Sequence, residues 1–426
     1  MPPLIAYYGD DFTGASDTLA TAAQAGLRAL LFLRVPSASE RAKAGELDCL
    51  GIAGIARSLA PADMEREFAP VAAFFKSLNP AVIHYKTCST FDSAPATGSI
   101  GHAVSFLRPL AANKLVSIVG GQPNLRRYCL FGNLFAAAGI GGEVHRIDRH
   151  PTMSVHPVTP MHEGDLRLHL AAQGLKNILS LPYTAFDQPD AALDAQVAAM
   201  LAQSPDAILL DVARAEDLPV IGRLLRRHAA DGTMLAIGPS SVVDALARGV
   251  ETVAPAPASI APAAGPVFVL SGSLSPVTRA QLQNAPSFTP IAIDPTRLMA
   301  GDSETLDKII ALIGQGRHVL AHTTSLTGRT STSVPARQVA QASASILLQL
   351  LKQTRLRRIG IAGGDTSSYA IKALDIWGLS YLGALGAGAA LCRTHAAHPS
   401  FDSIELMLKG GQMGGPDVFE RLVHGT

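Results

Sequence analysis

The sequence predicts an α/β protein of two domains, each a mostly parallel sheet flanked by helices. Three observations lead there. At 426 residues the chain exceeds what one hydrophobic core usually supports. Short apolar runs alternate with longer amphipathic ones along most of its length, the pattern of strands joined by crossover helices. That periodicity stops between Glu251 and Pro266, a Pro/Ala-rich stretch with prolines at 255, 257, 262 and 266, which reads as a linker. The expected division is residues 1–250, a linker at 251–266, and residues 267–426.

In the first domain Leu4–Tyr8 reads as a strand and Ala15–Ala25 as the helix after it. Ala29–Leu33 and Cys49–Ala53 read as strands, Ala62–Ser77 as a helix and Ala81–Tyr85 as a strand. Ile100–Ala112 and Leu166–Ala172 have helical patterning, while Leu115–Val119 and Ala207–Val212 are strand-like. After the linker, Val267–Leu270, Ile291–Ile293, His318–His322 and Ile359–Ala362 are the strand candidates. Val277–Asn284, Thr305–Gly314, Pro335–Lys352 and Ser368–Leu374 are the helices that would cover them.

Composition narrows the function. Apolar residues make up 48% and charged residues 16%, which favours well-buried sheets over disorder. Thirty-five basic residues against 34 acidic ones leave no basic tract, so nucleic acid is not an expected partner. No signal peptide and no run of 18 apolar residues is seen, so no membrane partner and a cytoplasmic location are expected. Cys49, Cys88, Cys129 and Cys392 are scattered without a C-x-x-C pair and read as free thiols. The oligomeric state is left open, a homodimer included.

The most informative stretch is Ile359-Gly-Ile-Ala-Gly-Gly-Asp-Thr366. A strand meets two glycines and then a helix start, an arrangement that presents backbone N–H groups to a phosphate. It is neither a Walker A loop nor Gly-x-Gly-x-x-Gly. Val269-Leu-Ser-Gly-Ser-Leu-Ser-Pro-Val-Thr278 repeats the strand, small-residue turn and helix, and two such loops could bracket a nucleotide. Near the end, residues 410–415 hold four glycines in six, which suits close approach of backbone to a ligand.

Polar residues also gather after the early strands. Tyr8-Gly-Asp-Asp-Phe-Thr-Gly-Ala-Ser-Asp17 follows the first strand, where open α/β sheets bind ligands. A carboxylate there can accept a proton from a hydroxyl or hold Mg²⁺; Asp11 or Thr13 could instead simply cap the helix. Arg57, followed by Ser58, could grip a carboxylate through its fork. Lys86, Ser89, Thr90 and Asp92 crowd the end of another strand, as a charged polyhydroxy ligand would require. The histidines show no metal-ligand spacing, and Gly238-Pro-Ser-Ser241 is not a nucleophile elbow.

Taken together and in this order, these pieces resemble the four-carbon acid sugar kinase family. Gly9-Asp-Asp-Phe-Thr-Gly-Ala-Ser-Asp17 is similar to its N-terminal signature. Arg57-Ser58, Tyr85-Lys86 with Ser89-Thr-Phe-Asp-Ser93, His156-Pro-Val-Thr-Pro-Met161, Ser271-Gly-Ser273, Gly363-Gly-Asp-Thr-Ser367 and Lys409-Gly-Gly-Gln-Met-Gly414 resemble its other landmarks. Two departures point to a subgroup. Asp365 stands where Glu is common, and Gly410-Gly-Gln-Met-Gly414 stands where Ser-Gly-Asn-Phe-Gly is common. The opening motif resembles members that act on the branched sugar acid 3-oxo-isoapionate.

The resemblance implies a sugar-acid-binding first domain, a nucleotide-binding second domain and an ATP-dependent kinase using Mg²⁺. Its substrate would be a small sugar acid such as a 3-oxo-tetronate, threonate, erythronate or 3-oxo-isoapionate. Asp11, with Asp10 as the alternative, would accept the substrate hydroxyl proton. Thr13, Arg57, Ser58, Lys86, Thr90 and Asp92 would bind the acid. Ser271, Ser273, Gly363, Gly364, Asp365, Thr366, Gly410 and Gly411 would bind ATP, with the metal ligands unassigned. The runner-up is a non-catalytic sensor of sugar acid or nucleotide on the same fold. A dehydrogenase is disfavoured because the dinucleotide fingerprint is missing.

Overall fold

The computed structural model describes residues 2–139, 141–250, 259–273, 275–299, 303–323, 336–386, 388–411 and 413–426. It divides into two compact units, Met1–Ala256 and Pro257–Thr426. Residues 251–258 of the expected linker lie outside the described residues. Residues 259–266 form neither helix nor strand, and Ile260 joins the hydrophobic core of the second unit.

The first unit has eleven strands among the described residues: β1 (Ile5–Gly9), β2 (Ala29–Phe32), β3 (Cys49–Ala53), β4 (Val82–Lys86), β5 (Val116–Val119), β6 (Arg127–Leu130), β7 (Asn133–Ala137), β8 (Val144–Arg146), β9 (Ile178–Leu181), β10 (Ala207–Leu210) and β11 (Met234–Gly238). Its helices are α1 (Phe12–Gln24), α2 (Ala38–Lys43), α3 (Pro61–Leu78), α4 (Ile100–Leu107), α5 (Leu166–Ala171), α6 (Asp190–Leu201), α7 (Asp217–Ala229) and α8 (Ser241–Ala247). Eight strands form one sheet in the order β2-β3-β1-β4-β11-β5-β10-β9. Every pairing in it is parallel. Strands β1, β4, β10 and β11 are buried along their whole length. A strand covered on both faces reads as a continuous apolar run, which is why the early strands were visible in sequence.

The small antiparallel sheet β6-β7-β8 was not anticipated. Its first hairpin turns on Phe131 and Gly132, both with positive φ (51° and 81°). A two-residue turn of that kind usually advertises itself with Asn-Gly or Asp-Gly. Here a distant carboxylate supplies the support. Asp211, just past β10, accepts from the Phe131 amide at 2.6 Å and the Gly132 amide at 3.0 Å.

The second unit holds β12 (Val267–Ser271), β13 (Phe288–Ala292), β14 (His318–His322), β15 (Arg358–Ala362), β16 (Ile376–Gly386), β17 (Ala389–Ala396) and β18 (Glu405–Lys409). Its described helices are α9 (Pro276–Gln283), α10 (Pro295–Met299), α11 (Glu304–Gly314), α12 (Ala336–Gln353), α13 (Gly364–Ala373) and α14 (Val418–His424). The strand order is β13-β14-β12-β15-β18-β17-β16. The first five are parallel, and β17 and β16 add antiparallel pairs at the end.

Both units share one wiring. Their first four strands lie in the order second, third, first, fourth: β2-β3-β1-β4 and β13-β14-β12-β15. The chain leaves the first strand toward one edge and later crosses to its other side. In each unit this creates a switch point at the carboxyl ends of the first and fourth strands, where open sheets bind ligands.

Candidate active site

At the switch point of the first unit, Gly9 ends β1 in register with Ala53 of β3 and Lys86 of β4. The loops beyond these three residues therefore emerge side by side. Asp10 follows at once, its amide donating to the Lys86 carbonyl at 3.0 Å. Arg57 sits in a one-turn 3₁₀ segment, Ala56–Ser58, and its amide donates to the Asp10 carbonyl at 2.9 Å. Its guanidinium then closes a fork on Asp10, Nε to Oδ2 at 3.2 Å and Nη2 to Oδ1 at 2.7 Å. Nη2 also donates to Asp11 Oδ1 at 2.8 Å.

Asp11 caps α1. Its Oδ1 accepts from the Gly14 amide at 2.9 Å, the capping contact that the sequence offered as one reading of this residue. Both Asp11 side-chain bonds fall on Oδ1, and Oδ2 has no partner among the described residues. Asp10 differs: both of its oxygens are engaged by Arg57, and it is only 4% exposed. Burial raises the Asp10 pKa, with Arg57 opposing and Asp11 adding to the rise. Burial also opposes the Arg57 charge, yet Asp10 and Asp11 hold its pKa well above the ordinary value.

Lys86 is buried and donates to the Thr87 carbonyl at 2.8 Å. Its ammonium lies over the first turn of α1. A Cβ on Gly14 would sit 2.5 Å from Asp11 Oδ1 and 2.6 Å from Lys86 Nζ. Glycine is the residue that lets the acid and the cation converge there. Thr90 and Asp92 are buried in the loop after β4 and bond to each other, Oγ1 to Oδ1 at 2.5 Å. Asp92 contributes to the field that holds the Arg57 charge. Thr13 lies in the first turn of α1, half-buried. Ser58 is exposed and its hydroxyl donates to the Ile55 carbonyl at 3.0 Å.

The second unit's switch point gathers the other expected residues. Ser271, Ala362 and Lys409 end neighbouring strands in register. The Gly272 amide donates to the Ala362 carbonyl and the Gly363 amide to the Lys409 carbonyl, both at 3.0 Å. The loops after β12, β15 and β18 are thus laced together. Gly363, the N-cap of α13, has φ 121°, a conformation open to glycine and strained for other residues. A Cβ on Gly411 would come 2.5 Å from Ser273 Oγ, so Gly411 allows a close approach. Ser271 Oγ is buried without a hydrogen-bond partner among the described residues. An orphaned hydroxyl beside a helix N-terminus and glycine turns fits a phosphate group. Thr366 is buried beside Gly363, Gly364 opens α13 and Gly410 follows β18. The Asp365 side chain lies outside the described residues.

Residues 5–246 match the family described as a sugar-binding N-terminal domain, and residues 268–419 match a nucleotide-binding C-terminal domain. The chain is 37% identical to a 3-oxo-isoapionate kinase of Paraburkholderia graminis, covering 99% of this chain and 94% of that one. The chain belongs to the four-carbon acid sugar kinase family. A 3-oxo-tetronate kinase of Methylobacterium radiotolerans is 29% identical over 97% of this family member and 96% of its own length. Among solved structures, a Haemophilus influenzae protein matches with a TM-score of 0.77 at 21% identity, covering 98% of each chain. A Salmonella typhimurium LT2 protein gives 0.80 at 23%, again over 98% of each. At those identities the two structures speak for the shared fold of the family.

Sequence reasoning left several residues of this family member without a role. Asp17 is held by Gln122 Nε2 at 3.1 Å and by the Ser240 hydroxyl, which also meets Thr18 at 3.0 Å. Ser240 belongs to the stretch rejected as a nucleophile elbow; it braces α1 instead. His84 donates from or accepts at Nε2 toward the Gly238 carbonyl at 3.0 Å, and burial pushes its pKa down to about 3. His156 is a local turn device, its Nδ1 accepting from the Thr159 amide at 3.1 Å.

Proposed function

We propose that the protein transfers the terminal phosphoryl group of ATP to a hydroxyl of a small sugar acid. The first unit would hold the acid and the second the nucleotide. The observation that carries this reading is the first switch point, where an acid with one oxygen unpartnered among the described residues stands beside two cations. Asp11 Oδ2 accepts the hydroxyl proton as the oxygen attacks phosphorus, while Gly14 and Arg57 keep Oδ1 in place. Asp10 orients Arg57 rather than acting as base. Lys86 and the remaining Nη1 of Arg57 hold the substrate carboxylate, and Thr13, Ser58, Thr90 and Asp92 contact its hydroxyls.

ATP, bound with Mg²⁺, supplies the phosphoryl group, and catalysis by this chain consists of positioning and charge neutralisation. Ser271, Ser273, Gly363, Gly364, Asp365, Thr366, Gly410 and Gly411 would cradle the phosphates. The 37% identity to a 3-oxo-isoapionate kinase favours a branched substrate over a linear tetronate. A reducing, ATP-supplied compartment such as the cytoplasm suits the four free thiols. The test is ADP release with 3-oxo-isoapionate, 3-oxo-tetronates, threonate, erythronate and erythritol. ADP formation that requires an acid supports the proposal. Binding of an acid with no ADP formed from any of them would favour the sensor.

A further inference from the structure

Lys409 is the last residue of β18 and has no exposed surface. A buried ammonium normally has a carboxylate for company. Lys409 has none within ion-pair reach among the described residues. Nζ donates to Thr278 Oγ1 at 3.0 Å and stands 5.9 Å from the centre of the Phe419 ring. Its other protons have no described acceptor.

The neighbouring charges are engaged elsewhere. On α14, Glu420 accepts from Ser287 at 2.7 Å and pairs with His424, while Arg421 pairs with Asp417. On β15, Arg358 pairs with Glu405. Arg279 of α9 and Arg393 of β17 do not shift its titration, which burial alone moves, down to about 8.

The position of this cation is what gives it meaning. The Lys409 carbonyl accepts from the Gly363 amide, and its ammonium reaches the helix that follows the Ser271–Ser273 turn. Thr278 passes the contact on, donating to the Gly411 carbonyl at 2.8 Å. One turn later, Gln281 Nε2 donates to the Met413, Gly414 and Gly415 carbonyls at 3.1, 2.9 and 2.9 Å. Gly411 and residues 413–415 are therefore sewn to α9, and a positive charge with no counter-charge among the described residues lies beside them.

Resting on the nucleotide reading above, we propose that Lys409 is the fixed buried cation of the polyphosphate site. With Thr278 it also positions Gly411. Its missing counter-charge is the anion that the loops bind. Linkage then requires that a bound polyphosphate stabilise the protonated amine and draw a proton onto it.

The experiment is calorimetry of the full chain with ADP and with adenosine near pH 8, in two buffers of different ionisation enthalpy. We expect net proton uptake with ADP and none with adenosine. In Lys409→Met the uptake should vanish and ADP affinity should fall roughly tenfold, the equivalent of one pKa unit, with adenosine affinity within about twofold. Wild type that binds ADP without proton uptake would overturn the inference and leave the nucleotide reading standing. Equal loss of ADP and adenosine affinity in Lys409→Met would also overturn it, marking the lysine as a packing residue. Wild type that binds no ADP would overturn both. The wild-type proton count decides the matter even where the variant does not fold.

Discussion

Replacing Gly14 by alanine separates chemistry from stability at the first switch point. The added Cβ would lie 2.5 Å from Asp11 Oδ1 and 2.6 Å from Lys86 Nζ, with Arg57 Nη2 at 3.7 Å. Ordinary Cβ contacts begin near 3.4 Å, so the carboxylate and the ammonium must each retreat by close to 1 Å. Stability should barely change. Alanine gains about 1 kcal/mol over glycine in a helix, and a weakened Asp11 cap costs about the same. Activity should change a great deal, because a misplacement of about 1 Å can cost roughly 10²-fold. The assay is kcat/KM for ADP release with the preferred acid, read beside thermal unfolding. A variant within about threefold of wild type would show that base and substrate do not meet over Gly14, given the loss expected of such a shift. A fall in Tm of more than about 4 °C would assign the lost activity to folding instead.

Asp11→Asn should reduce turnover by about 10²–10⁴-fold, the usual range for a lost general base, with little change in acid binding. Near-normal turnover there, with Asp10→Asn inactive, would exchange the two roles. Arg57→Ala should raise KM for the acid and also lower kcat, since the same guanidinium orients both aspartates; an effect on KM alone would show that the fork serves only substrate. Gly363→Val should abolish ADP binding and spare acid binding, and calorimetry showing unchanged ADP affinity in a folded variant would remove this turn from the site. His84 should destabilise the protein in acid. Its pKa is about 3 in the fold against 6.5 in the unfolded chain, so its stabilisation is present above 6.5 and is lost as pH falls toward 3. Between pH 7 and 5 that amounts to about 2 kcal/mol in urea unfolding. An equal loss in His84→Gln would place the acid sensitivity elsewhere.

The sequence by itself determined the class of fold, because strands buried on both faces must be apolar throughout and leave that mark locally. Leu4–Tyr8 and Ile359–Ala362 are legible for this reason, as are the glycine turns that follow such strands. It also presented the residues of both switch points, since a ligand site in an open sheet lies just beyond a strand's carboxyl end. Other features came only with the tertiary structure. Sequence reading assigned nothing to β11, which enters between β4 and β5, or to the β6–β7 hairpin, whose turn leans on Asp211. Sequence put Asp11 forward as the base with Asp10 as the alternative, but held no physical ground for separating them. The fold distinguishes them by giving Arg57 both oxygens of one and a single oxygen of the other. Ser240 at Asp17 and Lys409 at Thr278 are partners 223 and 131 residues apart. A local pattern records what a residue needs from its own strand or helix. It carries no record of which distant group satisfies a hydrogen bond or leaves a buried charge without a partner, because those outcomes depend on strand order and register.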